Sequence, residues 1–166
     1  MHSPPKSAIE WMRIRPPSCH TLPIMYTNIL LASDGSDCAI RAVTAAGILA
    51  DKFQSRLTLI NAFQPIPTVG PYGEILYTGL DDNYTVEMKE HALSRARQIL
   101  DEMKVPFHSR QEIGDPAAEI VRVAEAEGCD LIVVGSRGQG ALKSLLLGSV
   151  SDHIVHHAHC PVLIIR

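Results

Sequence analysis

Asp130-Leu131-Ile132-Val133-Val134-Gly135-Ser136-Arg137-Gly138-Gln139-Gly140 is the stretch on which the fold turns. Leu131 to Val134 is an unbroken aliphatic run of strand length with no polar alternation, the pattern of a parallel strand covered on both faces. A glycine-rich turn follows it. After a spacer, Leu147-Gly148-Ser149-Val150-Ser151 opens a helix expected from about Ser149 to His157, and the helix leads into a last strand, Val162-Leu163-Ile164-Ile165. On the N-terminal side, Gly114-Asp115-Pro116 marks a helix start, with Asp115 as N-cap and Pro116 in the first turn. That helix carries Ile120, Val123 and Ala124 inward and ends at Gly128, suited to the C′ position.

The first half repeats this alternation. Asn28 to Ser33 is a short apolar run, and Asp34-Gly35-Ser36-Asp37 breaks it and offers an N-cap. A helix is expected over Cys38 to Lys52 with Ile40, Val43, Gly47 and Ala50 on its inner face and Ala42 and Ala46 beside it. Leu57 to Phe63 reads as a second strand. Residues 64–80, rich in proline and glycine, read as a long loop. A helix is expected from about Asp82 to Met103 with Ala92, Ala96, Ile99 and Met103 facing in, and Phe107 to Ile113 as a weak strand near the sheet edge. Strands alternating with helices imply βαβ units, right-handed crossovers and a parallel sheet: an α/β domain.

The 166 residues suit one domain, and the apolar share of 46% with 20% charged suits a globular one. Aromatic residues make up only 5%, so aliphatic side chains must fill the core. A net charge of -3 offers no basic face for nucleic acid, and no apolar run has the ~20 residues needed to cross a bilayer, so neither nucleic acid nor membrane is expected as a partner. Cys19, Cys38, Cys129 and Cys160 form no CxxC pair, which points to a reducing, cytoplasmic setting. Residues 1–24, with five prolines and no sustained period, read as a disordered or mis-started extension before a folded domain at 25–166.

The glycine turn lies at the C-terminal end of the best buried strand, the edge at which open α/β sheets bind ligands. Gly135 and Gly138 would let backbone approach an anion and take φ values that other residues resist. The helix start at Gly148, Ser149 and Ser151 adds free N–H groups, the positive dipole end and two hydroxyls, which suit a phosphate chain. No Gly-Lys-Ser/Thr follows the turn, so it is not a Walker A loop, and the first turn, with one glycine, is not a dinucleotide fingerprint. The alternative for such a turn is a tight β–α connection in which glycines only permit close packing.

Gly135-x2-Gly138-x9-Gly148-Ser149 resembles the signature of the ATP-binding branch of the universal stress protein family. Ile29 to Ser36, Gly114-Asp115-Pro116, Asp130 to Val134 and Cys160-Pro161-Val162-Leu163 match that family in order and spacing, so the resemblance covers about residues 25–166. It implies an open sheet of five parallel strands with helices on both faces, Rossmann-like and of the adenine nucleotide alpha-hydrolase type. It also implies ATP as ligand, with Mg²⁺ or Mn²⁺ accompanying the nucleotide, and a stress-linked regulator rather than an efficient catalyst. By position, Gly135, Gly138, Gly148, Ser149 and Val150 would hold triphosphate and ribose, with Ser151 at the same helix start. Ala32 and Asp34 would lie beside the nucleoside and Ala62 at the adenine edge. The last strand, Val162 to Ile165, matches the edge used for homodimer pairing. Ala32 stands where some ATP-binding members have proline, the extension has no place in the core pattern, and the 64–80 loop matches a variable region, from which no functional role carries over.

Single residues carry competing readings. Asp34 is either a ligand-facing carboxylate or the cap of the first helix. Arg137 and Lys143 either screen phosphate or are solvated loop cations. Cys38 and Cys129 read as small core residues, because spacing places no cation beside either thiol. His153 and His157 are four apart and His156 and His159 three apart, but a histidine pair alone does not close a four-ligand site, and no resident metal is assigned. With no P-loop lysine, nucleophile elbow or evident base, the regulatory reading stands first. A slow ATPase or nucleotidyl-transfer enzyme, and a nucleotide-free interaction module, are the alternatives.

Overall fold

The computed structural model describes residues 26–64, 66–69, 71–72, 75–78, 83–138 and 146–166. Among these the order is β1 (Asn28–Ala32), α1 (Asp37–Phe53), β2 (Arg56–Phe63), β3 (Ile66–Val69), β4 (Ile75–Thr78), α2 (Asn83–Glu102), β5 (His108–Ile113), α3 (Pro116–Ala126), β6 (Leu131–Gly135), α4 (Ser149–His157) and β7 (Val162–Ile165). Five strands form one sheet in the order β5-β2-β1-β6-β7, every neighbour parallel. This is the expected open α/β sheet. The extension at 1–24 lies outside the described residues, as do Met25, Lys143 and the Gln139-Gly140 part of the turn.

Two apolar layers sandwich the sheet. Ile29, Leu31, Leu57, Leu59, Leu131 and Val133 point to one face, where Ala42, Val43 and Ala46 of α1 and Leu93, Ala96 and Leu100 of α2 meet them. Leu30, Ile60, Ile132 and Val134 point to the other, against Ile120 and Val123 of α3 and Ile154 of α4. Alternate strand residues thus feed opposite layers, which is why β1 and β6 show no polar alternation.

The inner faces of two helices differ from expectation. In α1 the buried stripe is Cys38, Ala39, Ala42, Val43, Ala46, Gly47 and Ala50, leaving Ile40 half-exposed. Small side chains let this helix lie close to the sheet, so the alanines rather than the isoleucine define its core side. In α2, Leu93 and Leu100 are fully buried with Ala96, while Ile99 and Met103 pack at the margin. The Ala92 side chain lies outside the described residues.

Residues 64–80 are not simply a loop: β3 and β4 pair antiparallel, with Pro67 opposite Tyr77. A two-stranded ribbon tolerates a proline because each strand has a free edge, and that proline hides the strand signal of Ile66 and Val69. Asp115 caps α3 as expected, accepting from the Ala118 N–H at 2.9 Å with Pro116 next to it, and Gly128 follows the helix with φ of 62°. The cap of α1 is Ser36, which accepts from the Ala39 N–H at 3.3 Å. Asp34 is therefore not the helix cap. Among the described residues no helix is long and apolar enough to cross a membrane.

Candidate functional site

The chain leaves β1 through α1 toward β2 on one side, while β6 pairs with β1 on the other. This is a topological switch point, the place at which open α/β sheets hold ligands, at the carboxyl ends of β1 and β6. Ala32, Ser33 and Asp34 form one lip and Gly135, Ser136, Arg137 and Gly138 the other. The first lip is fixed by β2: the Ser33 N–H donates to Ile60 O at 3.0 Å, and the buried Asn61 side chain donates to Ser33 O at 2.8 Å.

The second lip is held by its carbonyls. Ser136 O accepts from the Gly148 N–H at 2.8 Å and from the Ser151 hydroxyl at 3.0 Å. Arg137 O accepts from the Ser36 hydroxyl at 3.1 Å. No peptide bond among the described residues is cis, and in a trans peptide the C=O and N–H point in opposite directions. Anchoring these two carbonyls therefore turns the next N–H groups, of Arg137 and Gly138, away from α4 and from the α1 cap. Ser136 itself is fully buried, with its N–H on Ile165 O at 2.7 Å. The turn is thus tied to α1, α4 and β7 at once.

Across from it, α4 begins at Gly148 with no side-chain cap hydrogen bond. Its first-turn N–H groups carry the positive end of the helix dipole toward the turn. The glycines act by their small size, not by their φ: among the described residues the positive-φ glycines are Gly35, Gly114 and Gly128. A Cβ on Gly148 would stand 3.4 Å from Arg137 Cα and 3.7 Å from Gly138 N, so helix start and turn touch backbone to backbone. A Cβ on Gly138 would meet Asp34 Oδ2 at 2.5 Å, which puts that carboxylate directly over the turn; its Oδ1 accepts from the Ser36 N–H at 3.0 Å.

Gly135 differs. A Cβ there would lie 2.7 Å from Ala39 N and 2.8 Å from Cys38 C. Its absence lets α1 seat against β6, which is the packing role open to this turn from the sequence. Ser151 is buried, its hydroxyl within reach of Ser136 O and Gly148 O, each at 3.0 Å, so it serves the scaffold of the turn. Ser149 is exposed beside it and Val150 packs partly on the core. Ala32 is buried at the end of β1, and Ala62 is half-buried on β2 opposite Glu112.

Ser36, Asn61 and Ser136 were not among the expected site residues. A serine two residues before a helical apolar period signals Ser36; the partners of Asn61 and Ser136 come from distant strands and leave no local signal. Cys38 also departs from the sequence reading. Arg41, one helical turn on, donates to its sulfur at 3.1 Å and the Ser136 hydroxyl does so at 3.7 Å. Burial pushes the Cys38 thiol up, but the Ser136 hydroxyl with the Arg41 and Arg137 charges outweighs it, leaving the pKa lowered. The i, i+3 spacing of Cys38 and Arg41 was the available signal. Among the described residues no group of three or more His, Cys, Asp or Glu side chains gathers as a metal site.

Residues 25–166 match the model of the universal stress protein family. A universal stress protein of Methanocaldococcus jannaschii is 34% identical over 142 residues, covering 86% of this chain and 83% of that protein. Among solved structures, UspA from Lactobacillus plantarum superposes with a TM-score of 0.67 at 27% identity, covering 86% of this chain and 99% of its own. A universal stress protein determined in complex with cAMP superposes with a TM-score of 0.64 at 26% identity, covering 85% and 97%. With a shared fold and a family match that runs from residue 25 to residue 166, the chain belongs to the universal stress protein family.

Proposed function

We propose that this chain is a regulatory module of the stress response that binds ATP at the Gly135–Gly138 turn. The observation that carries the reading is the pair of anchored carbonyls, Ser136 O and Arg137 O, which hold the turn against α4 and α1 and direct the Gly138 N–H away from the α1 cap, beside a helix start with no side-chain cap. Such turns and helix N-termini suit phosphate oxygens without any need for net positive charge. The cAMP complex of a relative at 26% identity supports an adenine nucleotide as the ligand class.

In this reading Gly138, Ser149 and Val150 offer backbone N–H groups to the phosphates, Gly148 lets the helix start close against the turn through its N–H bond to Ser136 O, and Arg137 adds charge at the rim. Ala32, Asp34 and Ala62 flank the nucleoside. Gly135 and Ser151 act by shaping the turn. The residues also fit a Mg²⁺ or Mn²⁺ carried in with the nucleotide, because the Asp34 carboxylate lies over the turn and would otherwise repel phosphate; the ion would neutralise that repulsion. Homodimerisation through β7 accompanies the site: Val162 to Ile165 form an aliphatic strand at the sheet edge, each residue half-buried, with none of the charges that blunt a solvent edge. Cys38, Cys129 and Cys160 are free thiols, in keeping with a cytoplasmic setting.

The test is acid release of small molecules from the purified protein, analysed by chromatography, beside calorimetric titration of the stripped protein with Mg·ATP. Released or tightly bound ATP is expected, with binding lost in the Gly138→Val, Gly148→Val double variant while its circular dichroism is unchanged. Absence of nucleotide by both routes, or unchanged affinity in the double variant, overturns the site. Analytical ultracentrifugation that finds only monomer across the accessible concentrations overturns the dimer.

A further inference from the structure

Along α4 beyond the glycine turn, from about 6 Å past its first residue to its end at about 12 Å by helix rise, the segment Asp152 to Cys160 holds four histidines that the nucleotide site does not use. Two of them converge. The rings of His153 and His157 stack with centroids 4.0 Å apart and planes 17° from parallel. They stand four residues apart, so they share one face of the helix, and that face is solvent-accessible: His153 is half-buried and His157 exposed. His156 turns toward Asp152, with Nδ1 2.8 Å from its carbonyl oxygen, and His159 toward the Cys129 carbonyl at 3.1 Å.

We propose that His153 and His157 form a two-imidazole chelate for a late first-row divalent transition ion such as Ni²⁺, Cu²⁺ or Zn²⁺. Three features argue for it. A carbonyl oxygen only accepts, so the 2.8 Å contact of His157 Nδ1 with His153 O fixes the proton on Nδ1 and leaves Nε2 with its lone pair outward. A histidine whose other ring nitrogen donates to a backbone carbonyl is the oriented form found in metal sites. The stack also shows that the two imidazoles reach one another on this face, with centroids 4.0 Å apart. An ion lies in the plane of each ring that binds it, at ~2.0–2.1 Å from the nitrogen, so chelation takes the rings out of the stack: His157 keeps its Nδ1 bond, and the His153 ring turns about χ1 and χ2 until its nitrogen shares the ion with His157 Nε2. Paired histidines at i and i+4 on one helical face are the arrangement that helical zinc motifs use.

No third protein ligand joins the pair among the described residues. The ion therefore keeps water at its remaining positions, and the site is an open, exchangeable one rather than a structural clamp. Imidazole donors favour the later transition ions over Mg²⁺ or Ca²⁺, so this site is chemically separate from the cation that accompanies a nucleotide.

The experiment is calorimetric titration of the tag-free full chain with Ni²⁺, free of nucleotide, for the wild type and for His153→Gln, His157→Gln, their double variant and His156→Gln. A chelate predicts saturable binding, a loss of about tenfold or more in either single variant, little further loss in the double variant, and less than a twofold change for His156→Gln. Absence of saturable binding overturns the proposal. So does an affinity unchanged by either His153→Gln or His157→Gln, or a loss in His156→Gln as large as in the other two, which would indicate a diffuse histidine cluster. The histidines lie beyond the glycine turn along α4, so an ATP titration that fails leaves this test intact.

Discussion

The two ends of the central sheet are built from different materials. At the amino ends of the strands, side chains close circuits among themselves. Asp130 accepts from the Thr27 N–H and hydroxyl, each at 2.7 Å, and from the Asn28 N–H at 3.0 Å. Glu127 accepts from Thr58 at 3.0 Å and from Arg110 at 2.6 Å, and its backbone oxygen takes the Asn28 amide at 2.7 Å. Along the β5 edge the ion pairs run on away from this end, from Arg110 to Glu112 and through Arg122 to Glu119 at the start of α3. At the carboxyl ends the polar work passes to the backbone: carbonyls are anchored by serines, side chains are small, and a helix starts without a side-chain cap. An end whose side chains satisfy one another fixes strand order and register. An end whose backbone is held from behind can present N–H groups to something else.

Gly135→Ala tests this division most severely. The residue lies on the binding side, yet the obstacle to its Cβ is the backbone of Ala39 and Cys38 at 2.7 and 2.8 Å, which cannot rotate aside. The expected loss is about 3 kcal/mol of stability, the upper end for overpacking, read as the midpoint shift in urea unfolding at constant m-value. A stable variant that has lost only ATP affinity would reverse the assignment and make Gly135 a ligand contact.

Asp130→Ala probes the opposite end. Removing the acceptor of three hydrogen bonds is expected to cost about 2 kcal/mol, with Mg·ATP affinity of the folded protein unchanged. Burial pushes the Asp130 carboxyl up, but the hydrogen bonds from Thr27 and Asn28 outweigh it, so its folded pKa is lowered. Because the folded value lies below the unfolded one, this stabilisation is complete above an unfolded pKa of roughly 3.9 and is lost as pH falls through the folded value. The stability gap between wild type and Asp130→Asn should therefore hold near neutrality and narrow in acid. A gap that stays constant into strong acid would mean that the ionised carboxylate is not what binds β1 to β6.

The same contrast explains what the sequence made legible. Strands and helix starts were readable because their signals are local: Leu131 to Val134 is a buried strand in any setting, and Asp115-Pro116 a helix start. The glycine positions were readable as a pattern, but not the reason for each, since whether a missing Cβ faces a ligand, a helix backbone or a carboxylate depends on which elements pack together. Gly135 and Gly138 are three residues apart and differ in this respect. The ion network around Glu127 joins Arg56, Thr58 and Arg110 from two strands with the end of α3, and no spacing announces it. The β3–β4 ribbon was missed because Pro67 and the surrounding glycines are turn residues by any local rule, and only the pairing of Pro67 with Tyr77 makes a strand of that stretch.

Ser36→Ala sharpens the comparison from the binding side. The hydroxyl both caps α1 and anchors Arg137 O, so one deletion removes the cap, worth about 1 kcal/mol, and frees the peptide that orients the Gly138 N–H. Stability should fall by that modest amount while ATP affinity falls several-fold, and Ser36→Thr should restore both. A loss of stability with unchanged affinity would reduce Ser36 to a cap and would remove one of the two carbonyl anchors from the argument for the phosphate site.

The smallest effect involves no change in stability and compares one thiol from each end. Cys38, against the glycine turn, has a lowered pKa and is 7% exposed, whereas burial, with Glu127 next in weight, pushes Cys129 up to about 11 at 2% exposure. The thiolate is the reactive form. At pH 8 the peptide carrying Cys38 should therefore be alkylated by iodoacetamide faster than that carrying Cys129, by about tenfold, in a mass-spectrometric time course on the native protein. The Cys38 rate should level off at a lower pH, while that of Cys129 keeps climbing toward pH 11. Since Cys38 lies behind the turn, saturating Mg·ATP should slow its alkylation and leave Cys129 untouched. Equal rates without nucleotide would show that opening of the fold, rather than the Arg41 and Ser136 contacts, controls access to both thiols, and the electrostatic difference between the two ends would then have no chemical consequence.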